Sequence, residues 1–120
     1  MHKGLHHVVI FSKDPDASAE WYRKAGFEYI RGYDRMHWFQ LGDGEIMIHP
    51  SDEVSPGKTA IHVAVENVDV LFHRVMHEGL DPVDHQEGGN KIAKPVVREW
   101  GDKEFELVDP DGHKWAFTEI

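Results

Sequence analysis

Thr59-Ala60-Ile61-His62-Val63-Ala64-Val65-Glu66-Asn67-Val68-Asp69 decides how this chain is read. Its first part is a short apolar run carrying one histidine, the signature of a strand, and its end opens a helix. An earlier stretch repeats it: Leu5-His6-His7-Val8-Val9-Ile10-Phe11 runs into Lys13-Asp14-Pro15-Asp16. His7 and Asp14 then correspond to His62 and Asp69 at the same spacing. Two copies of one structural unit are therefore expected.

Working outward, Leu5 to Phe11 places His7, Val9 and Phe11 on one face and Val8 and Ile10 on the other, as a strand does. Asp14 suits a helix N-cap and Pro15 the first helical position, while Ala17, Trp21, Tyr22 and Ala25 supply an apolar stripe that Gly26 closes. Phe27 to Ile30, Met36 to Leu41 and Glu45 to His49 read as strands, separated by turns at Arg31-Gly32-Tyr33-Asp34 and Gly42-Asp43-Gly44. The polar stretch from Pro50 to Lys58 links the copies.

In the second copy, Ile61 to Val65 is a strand and Val68 to Glu78 a helix, with apolar residues at the helical spacing of Val68, Leu71, Phe72, Val75 and Met76, ending at Gly79. Leu80 to Val83 reads as a short strand. Asp84 to Asn90 reads as a polar, glycine-containing loop with freedom to move, and Ile92 to Trp100 as an irregular edge strand because of Pro95. Glu104 to Val108 and Lys114 to Glu119 form a hairpin around Asp109-Pro110-Asp111-Gly112. The expected organisation is one domain over residues 1–120, with modules 1–52 and 58–120.

Composition narrows the function. With 120 residues, 40% of them apolar, the chain can bury one real core. It lacks an apolar run near the ~18 residues that cross a bilayer and an apolar leader, so a cytoplasmic, membrane-free protein is expected. A formal charge of −9 disfavours nucleic acid and favours a neutral or cationic partner. Without cysteine, any metal must be held by carboxylate and by some of the ten histidines.

The doubled plan, with Trp21-Tyr22 in the first helix, Gly26-Phe27 after it and Asp109-Pro110-Asp111-Gly112-His113 before the last strand, resembles the vicinal oxygen chelate superfamily. That group covers glyoxalase I, fosfomycin resistance proteins, extradiol dioxygenases and bleomycin resistance proteins. The resemblance implies an α+β fold of two βαβββ modules whose sheets curl around a cavity that binds a small organic molecule, completed in a homodimer. For the metal-using members it implies ligands at His7, His62 and, near the end of the fourth strand, His49. The last-strand glutamate of those members is replaced by Ala116. Trp100-Gly101 followed by Glu104-Phe105 instead resembles the bleomycin resistance proteins, which sequester a cationic drug without a catalytic metal.

Two functions therefore stay open. In one, Trp38, Met47, Trp100 and Glu104 bind a ligand. In the other, His7, His49 and His62 hold a divalent metal (Zn, Ni, Mn or Fe) that polarises a substrate for lyase, isomerase or dioxygenase chemistry. Glu106 shares a strand face with Glu104, leaving Phe105 and Leu107 to pack. It suits a replacement ligand, a catalytic acid or base, or an anchor for a cation; an exposed, solvated carboxylate is the plain alternative. His73 and His77 are expected to face solvent, and His85 receives no role.

Overall fold

The computed structural model describes residues 1–120, which divide into two compact units, Met1–Ser55 and Pro56–Ile120. In the first, strand β1 (His7–Ser12) buries Ile10 and Ser12 and leaves His7 and Phe11 exposed, so its alternation separates a core face from an open face. Helix α1 (Pro15–Lys24) starts where the Asp14 carboxylate accepts the Ala17 N–H at 3.2 Å, with Pro15 in the first turn. It ends before Gly26, whose φ of +100° is a conformation that favours glycine. Its inner face of Pro15, Ser18, Ala19 and Tyr22 covers the sheet. There the Ser18 and Ser12 hydroxyls bond at 2.7 Å, which satisfies both inside the core.

Strands β2 (Glu28–Tyr33), β3 (Met36–Leu41) and β4 (Gly44–Pro50) complete a sheet of order β1-β4-β3-β2, in which β1 and β4 run parallel and the other pairs antiparallel. Tyr22, Phe39, Ile46 and Ile48 are fully buried between helix and sheet. Each such side chain contributes about 1.5–3 kcal/mol of hydrophobic stabilisation.

The second unit repeats the plan. Strand β5 (Ala60–Val65) leads to helix α2 (Val68–His77), capped by Asn67 on the Val70 N–H and by the Glu119 carboxylate on the Val68 N–H. Val68, Phe72 and Val75 are buried, and Phe72 meets Phe105 edge-on, with Phe117 stacked beyond it. Strands β6 (Val83–Asp84), β7 (Asn90–Lys91), β8 (Val96–Val97), β9 (Lys103–Val108) and β10 (Lys114–Glu119) follow. The order β5-β10-β9-β6 reproduces β1-β4-β3-β2, with β7 added beyond β6 and β8 paired to β9. The fold is α+β, two βαβββ modules. No helix is long and apolar enough to cross a membrane.

Three expectations from sequence need correction. The first turn is not Arg31-Gly32-Tyr33-Asp34: β2 continues to Tyr33, which pairs with Met36, and the turn is the two residues Asp34-Arg35 at φ 50° and 65°. A two-residue link with both residues left-handed matches strand twist, and here it prevails over the turn preference of Gly32. Leu80 to Val83 and Ile92 to Trp100 shrink to the two-residue strands β6 and β8, since Pro82 and Pro95 cannot donate to a ladder. The stretch from Asp84 to Asn90 is not a free loop. Its Asp84 is buried, His85–Glu87 forms one 3-10 turn, and Asn90 pairs back to Asp84.

Arg35 sits in a conformation that costs a side chain about 1 kcal/mol or more. Arg35→Gly should raise the unfolding free energy by up to about 1 kcal/mol, measured by chemical denaturation. An unchanged or lower midpoint would show that the turn is not strained.

Candidate functional site

On the open face of the first unit, register pairs His7 with Glu45, Val9 with Met47 and Phe11 with His49. Trp38 lies opposite Met47 and Arg31 opposite Trp38, giving a row of Val9, Met47, Trp38 and Arg31 across four strands. The Arg31 guanidinium lies over the Trp38 ring, 4.6 Å from its centre, and reaches the Glu45 carboxylate at 3.4 Å. One face of the indole is therefore covered by a cation held by an exposed, weak ion pair. Such a cover can be displaced by a ligand.

His7 and His49 share this face but stand four residues apart in register, about 13 Å along the strands, so one ion cannot join both. His7 Nδ1 lies 2.8 Å from His6 Nδ1. His49 Nδ1 lies 2.8 Å from the Pro50 carbonyl, which can only accept, so Nδ1 carries the hydrogen of that bond.

In the second unit, His62 is exposed on β5, and its register neighbours across the sheet are Ala116 and then Glu106. One step along stand Ala64, Thr118 and Glu104. Both glutamates are buried, against the plain alternative of solvated charges. Arg98, only 8% exposed, explains how. It forks onto Asp84 with two bonds of 2.9 and 3.0 Å, donates from Nε to Glu104 at 3.1 Å and lies 3.6 Å from Glu106. Thr118 donates to the other Glu104 oxygen at 3.1 Å. Glu106 accepts from the His85 N–H at 2.9 Å with one oxygen and pairs with His85 Nδ1 at 2.7 Å with the other. No buried side-chain nitrogen or oxygen is left without a partner.

The guanidinium beside Asp84 holds its carboxyl below the usual carboxylate range, although burial opposes the shift. The same fork, opposed by burial, pushes Arg98 above its ordinary value. This bidentate, charge-assisted geometry is the arginine–carboxylate fork.

Trp100 lies in the turn before β9 rather than on a strand, 62% exposed, with its indole N–H donated to Asp102 at 3.0 Å. His85, given no role from sequence, proves to be the partner of Glu106. His85, just past the short strand β6, meets the buried acid on β9 only because β6 pairs with β9. The donors near His62 do not suit a metal centre: its neighbour is a methyl group, and the nearest carboxylate has both oxygens engaged. No three His, Asp or Glu side chains converge as a metal would need.

The surface also carries two open depressions. One, of about 540 Å³, is bordered by His6, Leu41 and Glu45; the other, of about 670 Å³, by Asp69, Ile92, Pro95, Val97 and Lys103. In the second, Lys103 is tied to Asp69.

Removing Arg98 strands buried carboxylates, so Arg98→Leu should cost about 3–5 kcal/mol of stability, read from urea unfolding. For Asp84 the sign is fixed by its lowered pKa. Its contribution is complete above the unfolded-state value near pH 4 and is lost as pH falls through the lower folded value. Wild-type stability should decline below about pH 4, and Asp84→Asn should flatten that decline while lowering stability at neutral pH. An acid profile identical in both proteins would contradict the role of the fork.

Comparison with known proteins agrees with the fold. Residues 4–117 fit the family model for the glyoxalase/bleomycin resistance protein/dioxygenase superfamily. Among solved structures, a glyoxalase family protein from Bacillus anthracis superposes with a TM-score of 0.75 at 19% identity, covering 99% of this chain and 96% of that one. TioX from Micromonospora sp. ML1 gives 0.73 at 25% identity, with 98% of both chains covered. Lactoylglutathione lyase from Agrobacterium tumefaciens gives 0.71 at 15%, covering 98% of this chain and 94% of that one, a likeness of fold alone. Among curated proteins nothing matches this chain. With a family match over nearly its whole length and the doubled βαβββ topology to go with it, this chain belongs to the glyoxalase/bleomycin resistance protein/dioxygenase superfamily.

Proposed function

We propose that this protein is a binding member of the superfamily, similar to the bleomycin resistance proteins, which holds a small cationic organic molecule in a homodimer without making or breaking a bond. One observation carries the reading: beside His62 stands Ala116, and the next carboxylate, Glu106, is fully engaged by His85. The small side chains of exposed Ala64 and half-buried Thr118 in the next row offer a surface for a ligand instead. Beside it, three carboxyl groups share one guanidinium, so the formal charge there is negative and favours a cation. In the first unit, Trp38 and Met47 supply apolar contact for a planar group once Arg31 swings aside. Trp100, exposed on its turn, is the further aromatic contact. Charge complementarity and stacking are what such a binder needs.

The second reading, a divalent-metal lyase, isomerase or dioxygenase, keeps one supporting observation: His7 and His62 are both exposed at equivalent positions on the first strand of each unit. Elemental analysis separates the two. Protein re-equilibrated with Zn, Ni, Mn and Fe(II) should retain well under one metal per chain, with no difference in a His7→Ala, His62→Ala variant. About one ion per chain that disappears in the variant would replace the binding reading with the metal one. Titration with bleomycin, as a cationic probe with planar aromatic groups, should release heat on binding. Trp38→Ala should weaken that binding about tenfold or more, the loss of roughly 1.4 kcal/mol of stacking. Unaltered affinity would remove Trp38 from the site.

A further inference from the structure

On the helix side of the first unit, three side chains from separate elements form a chain of hydrogen bonds that the ligand-binding reading does not use. The Tyr29 hydroxyl lies 3.0 Å from His37 Nδ1, and His37 Nε2 lies 2.8 Å from Asp16 Oδ1. The direction follows from chemistry. An Asp16 carboxylate only accepts, so Nε2 carries the hydrogen; in the neutral ring Nδ1 then has the lone pair, and the phenol donates to it. Acid, imidazole and hydroxyl thus stand in the order that activates a nucleophile, with Asp16 fixing the tautomer and His37 placed to take the proton.

The local structure holds this arrangement closely. The register shift between Tyr29 and Arg31 swings β2 at this point, and Gly32 pairs with His37. A Cβ on Gly32 would collide with the Tyr29 oxygen, so the absent side chain is what admits the hydroxyl. Asp16 lies in the first turn of α1, where a negative charge is favoured by the helix dipole. The Arg23 guanidinium lies over the Tyr29 ring, 4.1 Å from its centre, and favours negative charge building there as the proton leaves. His37 is not sealed off, its side chain being 17% exposed.

We propose that Tyr29, His37 and Asp16 form a second reactive centre, a tyrosine nucleophile for acyl transfer from activated esters. In the first step the Tyr29 oxygen bonds to the acyl carbon while its proton passes to His37 Nδ1. The ester C–O bond breaks, and the leaving aryl oxide takes that proton. In the second step His37 Nδ1 takes a proton from water, the hydroxide attacks the acyl-tyrosine, and Tyr29 regains its hydrogen as the carboxylic acid departs. The sum is ester plus water giving acid plus phenol. Tyr29 and His37 are catalytic here and Asp16 is a positioning residue.

The test is brief exposure of the folded protein to p-nitrophenyl acetate, followed by peptide mapping of acetyl groups. Tyr33 is the internal control, because it is 73% exposed while Tyr29 is half-buried. Accessibility alone would acetylate Tyr33 faster. The relay requires the reverse, with Tyr29 acetylated about tenfold faster or more. His37→Gln should bring Tyr29 down to or below Tyr33, Asp16→Asn should lower it, and Asp16→Glu should restore it. Tyr29→Phe, which keeps the ring and its packing, should remove the burst of p-nitrophenol. Preference for Tyr33, or selectivity for Tyr29 that survives His37→Gln, would overturn the proposal and leave the three residues as a structural tie between helix and hairpin.

Discussion

Arg98 is the constraint on which the second unit depends. A buried guanidinium is costly unless every face of it is paired, and Arg98 is paired on three sides. Through it the two-residue strand β6, the end of β8 and the inner edge of β9 are tied at one point. Strands this short carry few ladder bonds, and Pro82 and Pro95 remove donors from their surroundings. The fork replaces what the ladder lacks. The first unit has no comparable buried ion cluster; its β2 and β3 are six residues each, joined by a tight hairpin.

The same cluster decides the chemistry of the open face. Glu104 and Glu106 stand where the strand pattern puts them, beside Ala116 and Thr118. Their oxygens are committed to Arg98, Thr118 and His85. A carboxylate so engaged contributes field rather than coordination. His62, exposed close by, therefore has no free carboxylate oxygen in its own row of the sheet.

Much of this is legible in the sequence, because the signals are local. Asp14-Pro15 starts one helix, Gly26 and Gly79 follow the two helices, and the repeated histidine-bearing strands announce two equivalent units. The alternation of Glu104, Phe105, Glu106 and Leu107 separates the faces of β9. What escapes is whatever needs partners distant in the chain. Asp84 and His85 look like loop residues and Arg98 like part of an irregular edge until β6 pairs with β9 and brings them to Glu106, and only then does the polar stretch after Val83 become anchored. Tyr29, His37 and Asp16 are likewise gathered by the hairpin and the helix, not by any spacing. The turn at Asp34-Arg35 escapes for another reason: neighbouring Gly32 is the stronger turn former, yet it serves as the gap into which a tyrosine oxygen fits.

The Arg98 cluster has a thermal consequence. Both units rest on an apolar core, with Tyr22, Phe39, Ile46 and Ile48 in one and Val68, Phe105, Leu107 and Trp115 in the other, and burial of this kind loses driving force on cooling. The penalty for dehydrating charge falls as temperature rises, and it is the second unit that carries the buried ions. Warmth therefore eases the cost of that fastening, whereas cold weakens the hydrocarbon of both halves alike.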